Sequence, residues 1–144
     1  MKPTEYLKNV GIDILLPGHN SYKLASRGYM DLTVETWQSG ESTFVSMCHY
    51  GEQNGDNMKD PDILFKLEQE IITYKEMQND YVGFYSENHA EIKEFMENTW
   101  IDNLINQGHK LVQKEIDDVT YYRCGNTWST KSSQGLQLQW IGKN

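Results

Sequence analysis

Between His49 and Asp62 the chain sets out one imidazole together with Glu52, Asn54, Asp56, Asp60 and Asp62. Hard oxygen donors at that density suit calcium or magnesium, and a histidine beside carboxylates suits proton transfer near neutral pH. The spacing matches neither chemistry. A helix-flanked calcium loop needs ligands at alternate positions, a central glycine and a closing glutamate, and Asp56, Asn57, Asp60 and Asp62 do not supply that order. Asp and Asn side chains in turns bond their own backbone, and Asn54-Gly55 suits a turn whose central residues need positive φ. The segment therefore reads as a structural loop joining two strands, with no catalytic residue, metal or cofactor assigned. His49, Glu52, Asn54, Asp56, Asp60 and Asp62 are kept as a candidate binding set, and His19, beside Pro17-Gly18, is a second imidazole that folding could bring to it.

Other chemistry is sparse. There is no serine nucleophile elbow, phosphate-cradling glycine loop, CxxC pair or HExxH helix. Cys48, inside an apolar run, reads as a small buried hydrophobe, and Cys124, beside Gly125, as the more exposed thiol. The last 26 residues hold three bases and no acid, interleaved with Tyr121, Tyr122, Trp128 and Trp140. That combination could stack on bases and touch phosphates, with Trp128 as the candidate contact for a single strand. Three charges give little phosphate affinity, however, and aromatics in a hairpin also pack across strands, so nucleic-acid binding is the less favoured use. Residues 52–118 carry sixteen acids against six lysines in a chain of net charge −8, which excludes non-specific nucleic-acid binding by the surface as a whole. A solvated face explains the acids most simply; a surface that occupies a basic protein is the alternative.

These residues need elements to hold them. A chain of 144 residues, 38% hydrophobic with 17 aromatics, is the size and composition of one folded domain, 1–144. Thr4 is a candidate cap for a short helix ended by Gly11, and Pro17-Gly18 precedes the first extended segment. Met30, Leu32 and Val34 alternate with polar residues, Thr43 to Tyr50 is apolar on both faces, Ile63, Phe65 and Leu67 alternate again, and Ile71 to Tyr74 is rich in strand formers. Together they predict a four-strand antiparallel meander. One helix is well marked: Asn88 with Glu91 resembles a capping box, Ile92, Phe95, Met96, Trp100, Leu104 and Ile105 recur at helical spacing, and Gly108 closes it. Val119–Cys124 and Leu136–Ile141 look extended and predict a C-terminal hairpin over 113–144. The fold class expected is α+β, a mostly antiparallel sheet with one principal amphipathic helix packed on it. No apolar run reaches the roughly 18 residues a membrane helix needs, and the start lacks a secretory signal, so the expectation is a cytoplasmic protein with two reduced thiols.

Four blocks carry a resemblance: Gly28-Tyr29-Met30-Asp31-Leu32; His49 to Asp56 with Asp60-Pro61-Asp62; Gln78-Asn79-Asp80-Tyr81-Val82-Gly83; and Trp100 to Gly108. In this order, over residues 18–112, the chain resembles a family of short uncharacterised bacterial proteins, common in phages and integrative elements of Gram-positive bacteria, that is a domain of unknown function. A more distant uncharacterised bacterial family has a similar Gln-Asn-Gly-Asp followed by Asp-Pro-Asp between strands. Neither resemblance implies an activity. The function expected is a small non-enzymatic protein-interaction module of a phage or mobile element, acting on a host or element protein, with inhibition of a host defence protein as its specific form and Glu91, Glu94 and Glu97 as acidic contacts. The alternatives are a metal-assisted hydrolase or ligand-binding protein centred on His49–Asp62, and single-stranded nucleic-acid binding through the C-terminal hairpin.

Overall fold

The computed structural model describes the backbone of residues 1–53, 56–131 and 138–143, and the side chains there except at 52, 53, 56, 57, 131 and 138–143. Ten strands form one antiparallel sheet: β1 Asn20–Ala25, β2 Leu32–Ser39, β3 Ser42–Gln53, β4 Asp56–Glu68, β5 Ile71–Asn79, β6 Phe84–Ser86, β7 Lys110–Ile116, β8 Val119–Cys124, β9 Thr127–Lys131 and β10 Leu138–Lys143. Their order is β10-β9-β8-β7-β1-β2-β3-β4-β5-β6. Two meanders thus meet at the β1–β7 seam, and the helices between β6 and β7 carry the chain back across the sheet. The α+β class is as expected, and the meander is longer than expected at both ends.

Side chains alternate across a strand, so one face collects the core. Tyr22, Val34, Met47, Ile63 and Met77 lie opposite one another in a row from β1 to β5, and Thr36, Val45, Phe65 and Tyr74 form another. All nine are buried, in a cluster closed by Tyr6 and Leu7 of α1 (Pro3–Asn9) and by Ile92, Met96, Trp100, Ile101 and Leu104. Pro3 occupies the first helical turn of α1, where its missing N–H costs nothing, so the helix starts ahead of Thr4, the cap expected there.

The principal helix is α2 (His89–Phe95), one π-helical turn (Met96–Trp100) and α3 (Ile101–Gln107). Asn88 caps it by accepting from the Glu91 N–H at 2.9 Å, while the Asn88 N–H goes to the Ser86 hydroxyl instead of back to Glu91. Gly108 ends it at φ 75°, which a glycine adopts without the Cβ clash. A π turn takes one extra residue into its circuit. Trp100 and Ile101 therefore both face inward, and the apolar stripe moves on by one position, leaving Ile105 exposed. Helix α2 packs against β5, where the Tyr74 N–H, beyond the reach of the three-residue β6, donates to His89 Nδ1 at 2.9 Å. This covers an edge that would otherwise offer unpaired backbone.

The largest departure from expectation is the segment His49–Asp62. Its described residues continue the ladder, with Tyr50 opposite Lys59, Gly51 opposite Met58, Glu52 opposite Asn57 and Gln53 opposite Asp56. Glycine, proline and carboxylates marked it as loop, but β3 and β4 run on through them because cross-strand pairing satisfies the backbone better than turns would. Proline cannot donate to a ladder. The register shifts where it falls, so that His49 on β3 opposes both Asp60 and Pro61 on β4. The Asp60-Pro61 peptide is cis. The expected turn at Asn54-Gly55 lies outside the described residues.

Candidate functional site

Strands β1, β3 and β5 end, and β2, β4, β6 and β7 begin, at the same side of the sheet. That side gathers the β1–β2 connection (26–31), the projecting β3–β4 hairpin, the β5–β6 connection (80–83) and the α3–β7 junction at Gly108-His109. The blocks singled out in the sequence are thus brought together, and they bond one another directly.

His49 lies on the core face, beside Leu32 on β2, and its Nδ1 is 3.0 Å from the Asp31 carbonyl. His109 Nε2 is 2.8 Å from the Met30 carbonyl. A carbonyl oxygen only accepts, so both ring nitrogens donate, and two consecutive backbone carbonyls are held by two imidazoles. The rings are 5.5 Å apart, Trp100 stands edge-on to His49 at 5.5 Å, and Tyr29 covers His109 at 6.4 Å. His109 is only 5% exposed, and its Nδ1 is buried with no hydrogen-bond partner among the described residues. Ser26 ties the same connection to the end of α3 through its hydroxyl and the Gln107 carbonyl.

On the other flank, Asp80 and Lys59 exchange two bonds: the Asp80 N–H donates to the Lys59 carbonyl at 2.8 Å, and the Lys59 N–H to Asp80 Oδ2 at 2.9 Å. With the Gln78 amide also donating at 2.6 Å, these bonds hold the Asp80 carboxyl below its usual range, the Lys59 N–H first. The Asn79 amide donates to Asp60 at 2.8 Å, and Asp62 takes the Ser46 hydroxyl at 3.2 Å and the Lys59 ammonium at 3.3 Å. A Cβ added to Gly51 would run into the Tyr81 hydroxyl and press on the Met30 sulfur, so the hairpin, the β5–β6 connection and the β1–β2 connection meet at that glycine.

The candidate residues are therefore placed as follows. His49, Asp60 and Asp62 belong to this end, each engaged by the chain's own groups. Glu52 and Asp56 sit on the projecting rungs with side chains outside the described residues, and Asn54 lies outside them altogether. Trp128 is elsewhere, on β9, 2% exposed, with the Lys114 ammonium 4.4 Å from its ring and Arg123 at 5.9 Å. Its indole face is occupied by the chain's own cation. His19 lies against Trp37 and Glu35, at the other end of β1 from His49. Cys48 is buried, and burial, with Asp62 beside it, pushes its thiol up to about 12, the condition of an inert cysteine. Among the described residues, no three His, Cys, Asp or Glu side chains are grouped to hold a metal ion.

Sequence reasoning missed His109, a lone histidine after a helix-closing glycine, and it missed what the exposed residues of the motif blocks have in common. Tyr29, Met30, Tyr50, Tyr81 and Val82 are all large, apolar in body and exposed, Val82 by 75%. Tyr29 and Met30, and Tyr81 and Val82, sit on two connections that converge, whereas Tyr50 points to the opposite face of β3 from His49. A groove of about 440 Å³ lies along the helix, lined by His89, Lys93, Glu94 and Glu97, and includes none of them.

Burial lowers the His49 pKa, and the neighbouring His109 adds to this against the pull of Asp31 and Asp60. The unfolded chain therefore binds more protons than the folded one once pH falls below about 6.5. Thermal melts should show constant stability from this group above that pH and a loss below it, of at most about 1.4 kcal/mol per pH unit per proton. His49→Gln should flatten that limb.

A family model described as a domain of unknown function (DUF6908) matches residues 7–110, a range that contains every segment of this end and excludes β8 to β10. No curated protein and no solved structure matches the chain. Among the described residues, no helix is long and apolar enough to cross a membrane.

Proposed function

We propose, on the premise that the chain belongs to the DUF6908 family of domains of unknown function, that it is a non-enzymatic protein-interaction module whose contact surface is the converging end of the sheet. One observation carries the reading: the described polar groups of the motif blocks are largely spent on holding three segments together, while Tyr29, Met30, Tyr81 and Val82 are left exposed on adjoining connections, with Met30 and Tyr81 meeting over Gly51. Catalysis asks for the reverse arrangement, polar groups presented to a substrate and apolar ones withdrawn. Tyrosine and methionine are enriched at protein interfaces, where a rigid ring gives contact area at small entropic cost, and clustered apolar surface on a soluble domain marks an interaction site.

The acids of the principal helix are the weaker candidate contact. Glu97 takes the Tyr74 hydroxyl at 2.8 Å and the Glu91 carboxylate takes the Ser86 hydroxyl at 3.4 Å, so both are engaged by the chain's own groups. The narrower reading makes the module a phage or mobile-element protein, cytoplasmic, whose partner is a host protein such as a defence enzyme; the sequence resemblance supports it.

Gly51→Ala separates binding from folding. The backbone there does not require positive φ, and the Cβ meets chiefly the far end of a tyrosine side chain. Stability should change by no more than about 0.5 kcal/mol, while Tyr81 and Met30 are displaced and partner capture falls. Capture equal to wild type, with Tyr81 shown to have moved, would argue against this surface.

A further inference from the structure

We propose that the His49–His109 pair is a proton-operated fastening for the Tyr29–Met30 surface, closed when both imidazoles are neutral and released on acidification. A neutral imidazole has a single N–H. His49 spends its own on the Asp31 carbonyl and His109 on the Met30 carbonyl, so a further proton on either ring must enter at the opposite nitrogen. At His109 that nitrogen is Nδ1, buried and without an acceptor among the described residues, so protonation there creates both a buried charge and an unsatisfied donor. At His49 it places a cation between Trp100 of the helix and the second imidazole.

Two carboxylates bear on the pair. Asp31 on the β1–β2 connection and Asp60 on β4 draw a proton toward His49, with Asp31 shared with Lys23 of β1 at 3.9 Å. Burial and the neighbouring imidazole oppose them. Tyr29 and Trp100 supply rings and no charge. When 26–31 lifts, water reaches the freed ring nitrogens, so protons favour the open form. The closed-to-open ratio can change by at most tenfold per pH unit for each proton taken up. The segment that moves carries Tyr29 and Met30 of the proposed contact surface, so as a control on partner binding the inference rests on that reading; as a property of the free chain it does not.

The test uses the full chain without a partner, with labelled methionine methyls and histidine rings followed by NMR from pH 8 to pH 5. The expected result is that the Met30 methyl shifts in the same transition in which the pair takes up protons, before global unfolding. In His109→Gln, whose amide can still donate to Met30 but cannot take up a proton, the transition should lose about one proton of its steepness. Imidazoles that titrate while Met30 stays unmoved, or that titrate only as the whole fold is lost, would overturn the proposal. If the variant does not fold, the wild-type titration decides alone.

Discussion

Replacing Trp100 with alanine should destabilise the chain by about 3–5 kcal/mol, a large share of the roughly 5–15 kcal/mol by which a domain of this kind is held. Trp100 is 3% exposed, packed against Phe95 at 6.3 Å and edge-on to His49, and it enters the core only because the π turn admits it together with Ile101. Its removal leaves a cavity at the point where helix, β3 and the histidine pair meet. Neighbours on a ten-strand sheet cannot collapse far enough to fill it. Denaturant or thermal unfolding measures the loss, expected as a fall in Tm of about 10 °C or more. Trp100→Phe, which keeps a ring beside His49, should recover most of it. A loss below about 1 kcal/mol in the alanine variant would mean that the helix does not close the core here.

The second large effect is on binding. Tyr29→Ala and Tyr81→Ala should each weaken partner affinity by about 30-fold, the roughly 2 kcal/mol typical of a tyrosine anchor at the centre of an interface. Both rings are exposed in the free chain, so stability should change by no more than about 0.5 kcal/mol. Titration calorimetry on the purified complex would separate the two effects. A surface tyrosine that only keeps the domain soluble would change neither, and one whose loss lowered Tm with affinity intact would be a packing residue.

Much of the architecture can be read in the chain because single-face patterns survive in it. Leu32 and Val34 alternate with Asp31, Thr33 and Glu35, and the helix announces its cap at Asn88 and its end at Gly108. What could not be read has physical causes. Strand β1 buries only Asn20, Tyr22 and Leu24, too few apolar residues to stand out. Strand β7 has Val112 as an extra residue against β1, which breaks its alternation. The π turn moves the helical stripe by one residue, so Ile105 was expected inside and Ile101 was not. At the candidate site the residue types were visible and their use was not. Turn formers and carboxylates from 49 to 62 spell a loop to any local rule, and it is the β3–β4 ladder running on through them that makes strand of them. Asp60 is bonded by Asn79, nineteen positions away, and His109 holds Met30 from 79 away. No local spacing carries such a contact.

The most direct test of the central claim is a quantitative co-purification from a lysate of the native host, comparing wild type, a Tyr29→Ala/Tyr81→Ala double variant and a Glu91→Lys/Glu94→Lys/Glu97→Lys triple variant, each first shown to be folded. The account predicts one dominant protein retained by wild type and by the helix variant and lost from the tyrosine variant. Retention by the tyrosine variant with loss from the helix variant would contradict it, and would move the contact surface from the end of the sheet to the acidic face of the helix.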